Sequence, residues 1–280
     1  MGCVHSHPGT GLAKKAENDL QRIDEMSNGK SIFYTDKDNF LWKFQTEAVQ
    51  KDTLYSYRNN KRVSLLPDMD HLLAPKQVLL SPDHQTVLIQ MPFGEDDLFT
   101  IISKPFSWDF VRTSLFSLAE VVVFLHQHDM AHRDIKPENI VLYNNKLCLV
   151  DFDFCFPLRA RAYCGTLYFR CPKKITLQWS CSSEESSKKM DVYSFGKLIM
   201  AIFWQASSHE MVGHKYFIFE AFHADFTESL NHPFTGEWAG WATVALHCLA
   251  KVPPSQIPVY LAIDKTTWST ENTRTVVADF

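Results

Sequence analysis

The segment that most constrains this chain is His132-Arg133-Asp134-Ile135-Lys136-Pro137-Glu138-Asn139, a polar string held between two strongly structured stretches. Upstream, Trp108–His128 carries apolar residues at Phe110, Val111, Leu115, Leu118, Val122 and Leu125. That spacing is close to a 3.6-residue period and predicts a buried helix. Downstream, Ile140–Tyr143 and Lys146–Val150 read as strands joined by Asn144-Asn145, residues that tolerate the positive φ of a tight hairpin turn. The hairpin leads into Asp151-Phe152-Asp153. A helix, a polar loop and a hairpin thus deliver a set of carboxylate, carboxamide and ammonium groups to one region.

Phosphoryl transfer needs a carboxylate to orient the attacking hydroxyl and oxygen ligands for Mg²⁺ beside it. Asp134 can accept the hydroxyl hydrogen bond, Asn139 and Asp151 can hold metal, and Lys136 is placed to neutralise the transferring phosphate.

The rest of the chain sorts around this string. Residues 1–30 are polar, poor in large apolar groups, and read as a flexible arm with a short helix near Ala13–Met26. Ser31–Thr35, Phe40–Gln45, Gln77–Leu80 and Thr86–Gln90 read as strands, with a helix expected over Val63–Leu73, interrupted at Pro67. Further apolar helices are expected over Val192–Trp204 and Trp238–Ala250, and Ser180–Lys189 reads as a low-complexity polar loop. The expected class is α+β, a small β-rich layer followed by a larger helical part. With 28 basic and 32 acidic residues the net charge is −4, which argues against a nucleic-acid partner. Seven scattered cysteines without a C-x-x-C pair predict reduced thiols and no zinc site. His126, His128 and His132 have no matching carboxylate or cysteine set. No stretch reaches the roughly 18 apolar residues of a membrane span, and there is no secretory signal pattern, so a cytoplasmic location is expected.

The string H-R-D-I-K-P-E-N resembles the catalytic loop of the eukaryotic protein kinase family in its serine/threonine form, since Lys136 sits two positions after Asp134. Asp151-Phe152-Asp153 stands where that family has D-F-G, Cys164–Lys173 is similar to its G-T-x-x-Y-x-A-P-E segment, and Asp191–Gly196 to its D-x-W-S-x-G helix. The resemblance is similar, too, to the reduced kinases of large DNA viruses. It implies a bilobal protein-kinase fold over 31–265, with a small β-rich N-lobe over about 31–90, a larger helical C-lobe over about 94–265, and a tail over 266–280. It also implies ATP and Mg²⁺ as cofactors, a protein substrate, and transfer of the γ-phosphate to a serine or threonine. The implied nucleotide-binding residues are Lys43, Gln90, Met91 and Asp151, with Asp134, Lys136 and Asn139 catalytic and Asn139 and Asp151 on the metal.

Several positions depart from the family pattern. Leu41 shares a strand face with Lys43 where the family has alanine, and would crowd the base. Counting back from His71 puts Arg62, nineteen positions after Lys43, where the helix glutamate belongs. No glutamate lies between Ala48 and Gly94, and the upstream glycine-rich loop is missing. Asp153 replaces the D-F-G glycine, and aspartate tolerates positive φ better than most residues. Lys173 and Gln256 replace both ends of a family ion pair, and Ala162 stands where many kinases carry an activating phosphothreonine. These losses keep a second expectation open, a pseudokinase acting as a binding or scaffold module.

At the start, Met1-Gly2-Cys3-Val4-His5-Ser6 fits M-G-x-x-x-[ST]. Myristoylation of Gly2 and palmitoylation of Cys3 are expected, because two acyl chains anchor a protein stably where one does not. The chain would then be a peripheral protein on the cytosolic membrane leaflet.

Overall fold

Strict alternation along Phe40–Thr46 builds the first sheet, with Leu41, Lys43 and Gln45 buried and their neighbours less so. The structure, a computed structural model, describes residues 20–23, 31–46, 50–104, 106–160, 162–171 and 182–207. Its contacts divide the chain into two units, one of Met1–Leu65 with Ala74–Phe93, the other of Leu66–Leu73 with Gly94–Phe280.

The first unit holds a five-stranded antiparallel sheet of β1 (Gln21–Ile23), β2 (Ser31–Thr35), β3 (Phe40–Thr46), β4 (Gln77–Leu80) and β5 (Thr86–Pro92), ordered β1-β2-β3-β5-β4. Cross-strand pairing of Leu41 with Met91, Lys43 with Ile89 and Gln45 with Val87 puts these six residues on one face. Leu41, Val78, Val87, Ile89 and Met91 form its core. Each such side chain contributes about 1.5–3 kcal/mol on burial. The Asp36–Asn39 turn is closed by Asp36, whose carboxylate accepts from Phe40 N at 2.9 Å and from Trp42 Nε1 at 2.7 Å.

Two expectations are corrected here. Residues 21–23 are not part of a free helical arm; they pair with β2, and Ile23 packs against the core, since an unpaired strand edge gains by being covered. The helix expected over Val63–Leu73 lies earlier, as α1 (Gln50–Val63). Pro67 disfavours helix at the residue before it, and the chain leaves the helix at Ser64, whose amide closes the last turn on Asn60 O. Apolar periodicity does not mark this helix because its inward face is polar: Thr53, Ser56, Asn59 and Asn60 are buried beside Val63.

In the second unit, α2 (Leu98–Ile102) is capped by Asp97, whose side chain accepts from Thr100 N at 2.7 Å. The long helix α3 (Trp108–Gln127) buries Val111, Leu115, Leu118, Val121, Val122 and Leu125, as its period requires. After α3 come β6 (Met130–Ala131), a 3₁₀ turn over Pro137–Asn139, the hairpin β7 (Ile140–Tyr143) and β8 (Lys146–Leu149), and β9 (Phe156–Pro157) paired with β6. Asn144 and Asn145 take φ of 48° and 57°, the tight turn their side chains tolerate. Residues 66–73 belong to this unit because they run along β8: Leu73 N donates to Leu149 O, Leu149 N to His71 O, and the His71 ring lies 2.7 Å from Leu147 O.

The helix α4 spans Ser183–Ser207, so the polar loop expected over Ser180–Lys189 is corrected from Ser183 onward. Its start is a capping box: Glu185 N donates to Ser182 Oγ and Ser182 N to Glu185 Oε2, each at 3.2 Å. Among the described residues no helix is long and apolar enough to cross a membrane. The expected helix Trp238–Ala250, the Lys173 and Gln256 positions, and Gly2 and Cys3 lie outside the described residues.

Candidate active site

A buried carboxylate on α4 shapes the polar string. Asp191 is fully buried, and its Oδ1 accepts from Arg133 N at 2.6 Å while Oδ2 accepts from His132 N at 2.8 Å and from His126 Nε2 at 2.9 Å. Burial alone would raise its pKa most strongly, but the hydrogen bond and charge of His126, with His132 and the Arg133 amide, outweigh it and hold the carboxyl below its ordinary value. These bonds keep Arg133 at φ 66°, a left-handed conformation that costs a non-glycine residue about 1–3 kcal/mol unless its surroundings enforce it. His132 is packed edge-on against Phe152, with ring centroids 5.4 Å apart. Its Nδ1 accepts from Asp134 N, which leaves Nε2–H to donate to Val150 O at 3.0 Å.

The loop so held turns Asp134 into a cluster that sequence spacing alone could not assemble. Asp134 Oδ1 accepts from both Thr166 N and Thr166 Oγ1 at 2.7 Å. Oδ2 accepts from Asn139 Nδ2 at 3.0 Å and lies 3.2 Å from Lys136 Nζ. Lys136 also donates to Thr166 Oγ1 at 2.8 Å, so one hydroxyl bridges cation and anion. Burial pushes the Asp134 pKa up, yet the Lys136 charge and the two Thr166 bonds prevail, and the carboxyl is held below its usual value. It is therefore an acceptor at neutral pH, as an orienting group for a hydroxyl must be. Gly165, at φ 97°, is what lets the segment come this close, because a Cβ there would run into the carbonyl oxygen of Arg133.

Asn139 donates its amide to Asp134 O at 2.8 Å as well as to Oδ2, which leaves its Oδ1 as an oxygen available to a metal. Val150 N bonds Asn139 O, so the residue preceding Asp151 is fastened to the same loop. Asp151 itself takes φ 63°. Asp153 is not left-handed, so its substitution for glycine does not draw on aspartate's tolerance of positive φ and meets no backbone conflict. No group of three or more His, Cys, Asp or Glu gathers among the described residues. One carboxylate and one carboxamide suit Mg²⁺, which keeps several waters and takes its remaining oxygens from phosphates.

In the first unit, Lys43 is 6% exposed and so is no solvated strand lysine. It stands in the face made by Leu41, Ile89 and Met91, with Leu41 on its own side as alternation requires. Met91 shares that face, but Gln90 does not: it pairs with Trp42 on the opposite face, and its carbonyl accepts from Lys76 N at 2.8 Å. Met91 and not Gln90 therefore stands on the Lys43 face, since period-2 alternation allows only one of two consecutive residues to face Lys43. The inward position counted for Arg62 is corrected. It is exposed on α1, and the residues turned inward are Thr53, Ser56, Asn59, Asn60 and Val63, with Ser56 Oγ donating to Gln45 Oε1 at 3.1 Å. The inner face of this helix is lined by neutral amides and hydroxyls in place of an acid.

The family model for the protein kinase domain matches residues 26–245. The chain belongs to the protein kinase family. Curated relatives include the mitogen-activated protein kinase HOG1A of Wallemia ichthyophaga, 27% identical over 144 residues, half of this chain and 38% of that protein. A protein of Acanthamoeba polyphaga mimivirus that carries a serine/threonine-protein kinase name is 27% identical over 161 residues, 54% of this chain and 55% of its own length. This chain therefore spans less than two thirds of either relative. Among solved structures, a chain of the yeast RNA Pol II CTD kinase CTDK-1 complex superposes with a TM-score of 0.52 at 18% identity, covering 73% of this chain and 66% of that one, a likeness of fold. The bilobal α+β expectation stands. Kinases of this family use ATP, typically with Mg²⁺.

Sequence alone assigns no role to Asp191, Thr166 or Ser187. Thr166 was legible in principle, as the threonine after Gly165 in the matched segment. Ser187, buried at 3% and bonded to Arg133, carried no signal beyond its place in a capped helix.

Proposed function

We propose that this protein is a serine/threonine protein kinase that passes the γ-phosphate of ATP to a hydroxyl of a protein substrate. The observation that carries the reading is the convergence of Thr166, Lys136 and Asn139 on one buried, ionised Asp134. Asp134 would accept the hydrogen bond of the attacking hydroxyl and fix its direction, and Lys136 would hold positive charge beside the phosphoryl group in flight. Asn139 Oδ1 and Asp151 would hold Mg²⁺, which supplies charge neutralisation on the phosphates when bound. Lys43 and Met91, on one face of the small sheet, are the small-lobe groups assigned to nucleotide.

A second reading, a pseudokinase that binds without transferring phosphate, draws on the small unit, where α1 turns neutral side chains inward and Leu41 fills the position of a small residue. A phosphotransfer assay with and without Mg²⁺, beside an Asp134→Asn control, separates the two. Mg²⁺-dependent transfer abolished by Asp134→Asn supports the kinase; no transfer with retained nucleotide binding supports the pseudokinase.

Membrane tethering through Gly2 and Cys3 is a further part of this proposal, resting on the M-G-x-x-x-S pattern alone. Gly2→Ala should release the protein to the soluble fraction, and an unchanged distribution would remove the idea.

A further inference from the structure

Arg133 is 2% exposed and its guanidinium reaches four oxygens that carry no formal charge. Nη1 donates to Ala162 O at 2.7 Å; Nη2 lies within bonding distance of Pro157 O (3.1 Å), Ala160 O (2.9 Å) and Ser187 Oγ (2.9 Å). The carbonyls all belong to the segment that follows Asp151-Phe152-Asp153, and the Phe156 ring lies 5.6 Å from the same guanidinium. Ala162 has no hydroxyl to receive a phosphate.

Ser187 is the piece that joins this segment to the scaffold. Its Oγ accepts from Arg133 and donates to Leu158 O at 2.6 Å, sharing its one proton with Ser183 O of its own helix at 2.8 Å. Asp191 lies one turn further along α4 and on the same face, where it holds the amides of His132 and Arg133. One helical face thus grips Arg133 twice, by its amide through Asp191 and by its side chain through Ser187. The guanidinium then gathers the carbonyls of Pro157, Ala160 and Ala162.

We propose that Ser187 is a positioning residue that, directly and through Arg133, holds Pro157, Leu158, Ala160 and Ala162 in place, so that order at these residues is built into the unmodified chain. The inference rests on the kinase reading only for its consequence, since an ordered segment is what delivers Thr166 to Asp134. A hydroxyl fixed on a helix supplies an oxygen acceptor to Arg133 and a donor to Leu158 at once, which no apolar side chain of that size can do. Nothing in the clamp requires a phosphate.

The test is hydrogen exchange of the full chain, read by mass spectrometry on protein confirmed to be unphosphorylated. In the Ser187→Ala variant, peptides covering 156–163 should exchange about tenfold faster, the loss of one hydrogen bond to a charged group. Peptides covering the β7–β8 hairpin should be unchanged, and Ser187→Thr, which keeps the hydroxyl, should restore protection. Unchanged exchange over 156–163 in Ser187→Ala would overturn the proposal. So would failure of Ser187→Thr to restore protection, or protection that appears only after phosphorylation. Should the wild-type chain transfer no phosphate, the kinase reading fails while these exchange results still decide the role of Ser187.

Discussion

Removing the Asp191 carboxylate should be among the most costly single changes to this fold. Asp191→Ala leaves three donors without their acceptor, the amides of His132 and Arg133 and Nε2 of His126, all around a fully buried site. A buried donor left unsatisfied costs about 1–3 kcal/mol, so three sum to about 3–9 kcal/mol. Water entering the vacated space recovers part of this, and about 4 kcal/mol is a reasonable expectation, a large share of the 5–15 kcal/mol available to a typical domain. Asp191→Asn keeps one oxygen but turns an amide toward at least one N–H, and should cost roughly half as much. Urea unfolding followed by circular dichroism would measure both, with an unchanged m-value showing that stability and not compactness has altered. The pH dependence supplies an independent reading. The folded carboxyl is held below its ordinary value of 3.8, so the folded state binds fewer protons than the unfolded one around that pH. Its stabilising effect is complete above about pH 3.8 and is lost as the pH falls through the depressed folded value; Asp191→Asn should flatten that acid limb. A loss below about 1 kcal/mol in both variants, with the acid limb intact, would refute the view that this carboxylate organises the loop.

Other outcomes follow from the same geometry. Lys136→Met should lower kcat by about a hundredfold with little change in nucleotide affinity, because the charge it removes acts on the phosphoryl group and on Asp134; steady-state kinetics would show the split. Arg62→Ala should change neither stability nor nucleotide binding beyond about 0.5 kcal/mol in urea titration and calorimetry, since Arg62 is exposed on α1. Burial pushes the thiols of Cys148 and Cys164 up to about 11 and that of Cys171 up to about 12, so at pH 8 they should react with a disulfide reagent about a hundredfold or more slower in the folded chain than in urea, by peptide mapping.

What the sequence determined by itself was whatever depends on neighbours a few positions apart. The 3.6-residue period of α3, the alternation of β3 and β5, the Asn144-Asn145 turn and the order of Asp134, Lys136 and Asn139 in one loop are all short-range, and they specified the α+β architecture and most of the large-lobe site. The capping box at Ser182 was equally local, yet it was obscured by the run of polar residues around it. Only the tertiary structure decided which groups meet. Thr166 reaches Asp134 across 32 positions and Asp191 reaches Arg133 across 58, and no periodicity encodes a contact made by a chain folding back on itself. The same holds in the small unit, where counting put Arg62 at the inward position of α1 and packing put Ser56, Asn59 and Asn60 there. Gln90 and Met91 are adjacent in sequence but face opposite sides of β5, and it was the register with β3 that placed Met91 beside Leu41 on the Lys43 face. Burial of a polar side chain is a property of what covers it, so the sequence carries the residue while the fold supplies the acceptor, the charge and the exclusion of water that give it a role.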